Sequence, residues 1–214
     1  MPIMPDLHEW LQQAGYEHYS FISWPHTDNR EITDCAQYIS KALVSSLCYS
    51  ISKPSVFIDE RITGGAKWPD QLKHALCKSV TMVAICAPLY YDPEHPWCGL
   101  EWAAMDVLNN KRIPAAEFHS IIPVLTRNDH ALPDVVSQLK YIDVSGVFTT
   151  GRRYFSTKEF RQKLGQIVQR IESVAEALAN KNSVAQCDQF EMPNESAFLG
   201  YSRTTRPLLF RKQK

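Results

Sequence analysis

Four absences narrow what this sequence can do. It has no net charge: 23 Lys and Arg balance 23 Asp and Glu, so no global field draws it to nucleic acid or to an anionic membrane. It has no apolar run approaching the ~20 residues of a membrane-spanning helix, and its first six residues lack the basic and apolar regions of a secretory signal. The expectation is a soluble, cytoplasmic protein. It has no metal-ligand spacing, since Cys35, Cys48, Cys77, Cys86, Cys98 and Cys187 contain no C-x-x-C pair. His26, His95, His119 and His130 show no helical i, i+4 pairing, so no metal site is expected. Most of the cysteines fall in apolar patterns and read as reduced thiols. Finally, no G-x-G-x-x-G follows a strand and no G-x-x-x-x-G-K-[ST] occurs, which removes the main support for Rossmann dinucleotide binding and for P-loop chemistry.

What is present is an ordinary globular composition, 44% hydrophobic and 21% charged over 214 residues. That length suits one α/β domain with a sizeable core and some tail. Along the chain, short apolar runs alternate with helical patterns. Leu7 to Gly15 reads as a short helix ended by Gly15. Tyr19 to Trp24 reads as a strand closed by Pro25, and Asp28 with Glu31 marks a helix start before Ile32, Ala36, Ile39, Leu43 and Leu47. Val56-Phe57-Ile58 is a strand buried on both faces and ending in Asp59. Trp68, Leu72, Ala75 and Leu76 mark the helix after it, with Pro69 in the first turn.

Val80 to Ala87 is the longest apolar run and the expected central strand. After Pro88 and a loop with Tyr90 and Tyr91, Leu100, Ala104, Val107 and Leu108 mark the core face of a third helix, with Glu101 in its first turn. Ser120 to Leu125 is a fourth strand, whose Pro123 argues for an edge or near-edge place. Leu132 to Leu139 reads as a short helix and Tyr141 to Val144 as a fifth strand. Ser156 with Glu159 reads as a capping box for the strongest helix, Phe160 to Leu178. Five strands, each followed by a helix, imply a doubly wound, five-stranded parallel sheet. Ligands in such folds sit beyond the carboxyl ends of the strands. The loops leaving those ends run from Ser23 to Asp28, Asp59 to Lys67 and Pro88 to Glu101.

The last of these loops carries Pro96-Trp97-Cys98-Gly99-Leu100-Glu101-Trp102, one carboxylate among aromatics. On spacing alone, Glu101 is a solvated glutamate favoured by the helix dipole. Cys98 with His95 is a poor nucleophile and base pair, since a short gap across Pro96 fixes no hydrogen bond and no third group orients it. Gly64-Gly65 fits a tight connection as readily as a ligand-contacting loop. A receiver-like or flavin-binding domain would need an acidic pocket with a late lysine, or a phosphate loop after the first strand, and neither is present.

Three marks in order alter that balance: Tyr19-Ser20-Phe21-Ile22-Ser23-Trp24, then Val56-Phe57-Ile58-Asp59 before a Gly-containing loop, then Trp97-Cys98-Gly99-Leu100-Glu101. Together they resemble the Toll/interleukin-1 receptor (TIR) domain family, in the manner of its bacterial and plant members, over about Tyr19 to Leu178. The resemblance implies a flavodoxin-like TIR fold over residues 18–178, an N-terminal segment at 1–17 and a linker and tail at 179–214. The family divides into adaptors that only assemble and enzymes that cleave NAD+ at the nicotinamide bond with the W-C-x-x-E glutamate. By motif position that glutamate is Glu101. The resemblance further implies that Trp97 stacks on nicotinamide, that Asp59 and the loop after it border the ribose and phosphates, and that Ser23, Trp24 and His26 line the opposite wall. NAD+ enters as substrate, with no cofactor and no metal. The implied activity is that of an NAD+ nucleosidase or ADP-ribosyl cyclase in bacterial antiviral defence or cell-suicide signalling. Self-association through the Glu60 to Lys67 loop and an upstream or downstream signalling partner are implied as well. The family's other branch implies a non-catalytic scaffold. The sequence departs from the family at Trp24-Pro25-His26, where a tyrosine and small or basic residues are commoner, and at the doubled Gly64-Gly65.

Overall fold

The computed structural model describes residues 6–26, 30–49, 51, 53–59, 68–91, 96–114, 117–127, 136 and 138–194. Helix α1 spans Leu7–Gln13, and Gly15 turns the chain at φ +88°, a conformation open to glycine. Strand β1 is His18–Ser23, helix α2 Arg30–Leu47, strand β2 Val56–Ile58, helix α3 Trp68–Cys77 and strand β3 Ser79–Cys86. A 3-10 turn at Pro88–Tyr91 precedes helix α4, Trp97–Arg112. Strands β4, Ile121–Leu125, and β5, Ile142–Asp143, follow. The remaining elements are helix α5, Gly146–Thr150, a 3-10 turn at Gly151–Ser156, and helix α6, Lys158–Asn180.

All five strands are parallel, in the order β2-β1-β3-β4-β5. The expected five-stranded, doubly wound, flavodoxin-like sheet is therefore the one observed. All eight residues of β3 are buried, as the longest apolar run requires of a central strand. Strand alternation sorts its side chains into two layers. Val83 and Ile85 face the cluster made with α1, α2 and α6, whereas Met82, Ala84 and Cys86 face the cluster made with α3 and α4. Strand β4 divides the same way, with Ile122 and Val124 on the first face and Ile121 and Leu125 on the second.

Pro123 sits on the penultimate strand, the near-edge place expected of it. Among the described residues, strand β5 pairs with Val124 and Leu125, so the missing donor of Pro123 lies outside that ladder.

Three local expectations differ from the structure. Val107 is 51% exposed rather than in the core, because α4 turns it away from the sheet while Leu100, Ala104 and Leu108 stay buried. The cap of α6 is Thr157, whose side chain accepts from Phe160 N at 3.1 Å, and Glu159 accepts instead from the Tyr154 hydroxyl at 3.2 Å. The cysteines are not all thiols: Cys77 and Cys187 form a disulfide across 110 positions. Cys187 had no apolar pattern around it to predict a partner. Asp28 and most of the expected helix at Leu132 to Leu139 lie outside the described residues.

Candidate active site

The loops after β1, β2 and β3 leave the same edge of the sheet, with β1 hydrogen-bonded between β2 and β3. The chain changes direction across the sheet between β1 and β3, which makes a crevice at their carboxyl ends. Ser23 closes β1 two residues beyond Phe21, so alternation points its side chain to the α3 and α4 face. Asp59 follows β2 directly and is buried. Tyr90, on the 3-10 turn after β3, is fully buried with its ring edge against Trp102 of α4.

Glu101 is the fifth residue of α4 and so lies in its second turn, not its first. It is 5% exposed, which removes the solvated, dipole-stabilised glutamate as a reading of this residue. Ser23 Oγ donates to Glu101 Oε2 at 2.5 Å, across 78 residues of sequence. Ser23 Oγ also lies 2.6 Å from the Tyr90 hydroxyl. Burial pushes the Glu101 carboxyl up to about 8, the Ser23 hydrogen bond partly offsets this, and the neighbouring charge of Asp59 adds to the rise.

The other expected site residues divide around this centre. His26 Nε2 lies 3.5 Å from Asp59 Oδ2, and its ring stacks on Trp24 with centroids 4.3 Å apart. Trp24, the residue after β1, packs on the α2 and α6 side, and its buried Nε1 has no hydrogen-bond partner among the described residues. Its ring is linked to Asp59 through the stacked ring of His26. Trp97 precedes Glu101 by four residues on the same face of α4 and is 42% exposed.

Cys98 is buried, and its thiol is held well above its ordinary value by burial first and then by the nearby Glu101 and Cys86. A thiol held protonated is a poor nucleophile, and His95 lies outside the described residues. So does the whole Glu60 to Lys67 loop. Among the described residues, no group of three or more His, Cys, Asp or Glu side chains could hold a metal ion. Sequence reasoning did not select Tyr90. Its one signal is a tyrosine in the turn that follows the central strand, at the end of the sheet where ligands bind.

A family model described as TIR domain matches residues 21–162, well over half of the chain. The chain belongs to the TIR domain family. No curated protein matches this TIR domain. Among solved structures, it is similar to the TIR domains of the activated Roq1 resistosome directly recognizing the pathogen effector XopQ. The two are 18% identical over 77% of this chain and 83% of that one, with a TM-score of 0.35, a likeness too distant to carry residue roles. Ser23, Asp59, Tyr90 and Glu101 all fall inside the matched span of this TIR domain. No helix among its described residues is long and apolar enough to cross a membrane. Chemically, the site offers the buried carboxyl of Glu101, held by a hydroxyl, with the buried Asp59 carboxyl close enough to act on it, an arrangement suited to meeting positive charge.

Proposed function

We propose that this TIR domain cleaves NAD+ at the bond between nicotinamide and ribose, as an NAD+ nucleosidase or ADP-ribosyl cyclase. The observation that carries the reading is Glu101, buried at the carboxyl edge of the sheet and bound by Ser23. Ordinary glycosidases need two carboxyl groups, because an alkoxide is a poor leaving group and must be protonated. Nicotinamide in NAD+ is a cationic pyridinium. When its bond to C1′ breaks, the electron pair returns to the ring nitrogen and neutral nicotinamide departs without a general acid. The ribosyl centre then carries the positive charge, and a single carboxylate in a dry site stabilises it. Water attacking C1′ and losing a proton gives ADP-ribose, and attack by the substrate's own adenine or ribose gives a cyclic product.

In this reading Trp97 stacks on nicotinamide, Asp59 and the loop after it border the ribose and phosphates, and His26 sits at the rim. The reaction needs Glu101 ionised. With its pKa pushed up to about 8, turnover rises as pH climbs toward 8, and the pyridinium of bound NAD+ helps draw the proton away. Biologically, NAD+ depletion or a cyclic messenger fits a defence or cell-suicide pathway.

The test is nicotinamide release by purified protein, under conditions that force assembly, against a Glu101→Gln control. Release by the wild type and a loss of at least ~100-fold in the variant are expected, whereas equal release from both would remove Glu101 from the mechanism. The observation favouring a second reading, a non-catalytic scaffold self-associating through Glu60 to Lys67, is the near-complete cover over Glu101. That reading predicts assembly without turnover, with assembly abolished by changes in the loop and indifferent to Glu101→Gln.

A further inference from the structure

The Tyr90 phenol is fully buried, and the reaction just described gives it no role. Its oxygen lies 2.6 Å from Ser23 Oγ, which lies 2.5 Å from Glu101 Oε2. The distance between the two hydroxyls allows either to donate. Their chemistry decides the direction. An ionised carboxylate carries no hydrogen and only accepts, and a serine hydroxyl has one hydrogen, which Ser23 gives to Glu101. The hydrogen between Tyr90 and Ser23 therefore comes from the phenol. We infer that Tyr90 is a positioning residue for Glu101, donating to Ser23 so that Ser23 in turn donates to the carboxylate, in one directed chain from the 3-10 turn through β1 to α4.

A serine hydroxyl alone is a free rotor with several acceptors in reach. The phenol removes that freedom, because it occupies a lone pair of Ser23 Oγ and leaves the serine hydrogen to point at Glu101. Burial, more than any neighbouring charge, holds the Tyr90 phenol well above its ordinary value, so it remains a donor throughout the working pH range. Among the described residues, the titratable groups facing this chain are Asp59 after β2 and Cys98 on α4, beside Glu101, with Cys98 also hydrogen-bonded to Ser23, Cys86 at the end of β3, beside Tyr90 and Cys98, and His26 behind Asp59. Asp59 and burial oppose ionisation of Glu101, and the hydroxyl chain favours it. If Glu101 is protonated, it can donate to Ser23 and reverse the chain, so the forward direction belongs to the ionised form.

Tyr90→Phe tests this in the full chain, removing the hydroxyl while keeping the ring against Trp102. Two readouts separate the claims: the carboxyl carbon shift of Glu101 against pH, assigned by its loss in Glu101→Gln, and the kinetics of nicotinamide release, which rest on the proposed NAD+ reaction. The Glu101 titration is expected to move up by about one pH unit, a tenfold change in its ionisation equilibrium. Turnover near neutral pH should fall about tenfold with KM within about twofold.

Ser23→Ala should shift the titration at least as far, and adding Tyr90→Phe to it should change nothing more, because the chain is already cut. Replacing tyrosine by 3-fluorotyrosine, which strengthens the phenol as a donor and keeps its shape, should move the Glu101 titration down, and supplies the answer if Tyr90→Phe does not fold. An unmoved titration in Tyr90→Phe, or additive shifts in the double variant, would overturn the proposal. A wild type that leaves NAD+ intact when assembled would end the nucleosidase reading, with the carbon titration still deciding the role of Tyr90.

Discussion

A carboxyl that folding lifts from the ordinary carboxylate range to about 8 binds its proton more tightly in the native state than in the unfolded chain. Between those two values the unfolded chain ionises while the native protein keeps the proton. The contribution of Glu101 to stability is therefore greatest below the unfolded pKa and declines as pH rises toward 8, by at most about 1.4 kcal/mol per pH unit. Glutamine at 101 keeps the shape and removes the titration. Urea unfolding of wild type and Glu101→Gln between pH 5 and pH 8 should show the variant gaining on the wild type as pH rises. Parallel curves would mean that the carboxyl gives up its proton in the native state as easily as in the unfolded one. The same burial that makes Glu101 a liability for stability keeps water from its carboxylate.

Helix α6 packs Phe160, Leu164, Ile167, Ile171, Val174 and Leu178 into the core on the α2 face of the sheet, and its start is set by a single hydroxyl. Thr157 Oγ1 accepts from Phe160 N, one of the donors that the first turn leaves without a partner, and Phe160 is itself buried beside Phe155. Thr157→Ala is expected to lower stability by about 1 kcal/mol, and Ser156→Ala, one position earlier, by close to nothing. Denaturant midpoints of the two variants distinguish the observed cap from the one that Ser156 and Glu159 suggest. At the far end of α4, Arg112 lies over the Tyr16 ring, donates to the carbonyls of Cys77 and Ser79, and so joins α4 to the junction of α3 and β3.

Beyond α6 the chain continues along the amino edge of the sheet, away from Glu101. Ala185 N donates to Ala14 O at 2.8 Å, the Tyr16 hydroxyl to Ser183 O at 3.2 Å, and Phe190 enters the cluster beneath α3 and α4. The Cys77–Cys187 disulfide closes a loop of 110 positions over this segment. Closing so long a loop reduces the freedom of the unfolded chain, and Cys187→Ser is expected to lower stability by about 2–4 kcal/mol. Thiol titration of the denatured, oxidised protein should count the four free cysteines Cys35, Cys48, Cys86 and Cys98, and all six after reduction. Because Cys77 precedes β3 and the site lies past its other end, nicotinamide release at 25 °C should be unchanged in the same variant.

The repeating elements were legible in the sequence because their signals are local. A short, largely apolar run such as Val80 to Ala87, closed by Pro88, fits a strand buried on both faces, and apolar residues from Ile32 to Leu47 at helical spacing fit a helix with one inward face. Alternation of such units forces a parallel sheet, and the order of three short motifs marked the family and Glu101 within it.

What the tertiary structure decided is contact between distant residues. Only the docking of α4 shows that Val107 faces solvent and Glu101 does not. Only the sheet order brings Ser23 within 2.5 Å of a residue 78 positions away and Tyr90 within 2.6 Å of that serine. Trp24 packs on the α2 and α6 side while Ser23, the residue before it, turns to Tyr90 and Glu101 on the other. The pairing of Cys77 with Cys187 follows the path of the chain after α6 and has no sequence signature. Local pattern fixes which elements form; burial, and with it the pKa of a carboxylate, depends on what the rest of the chain lays over it.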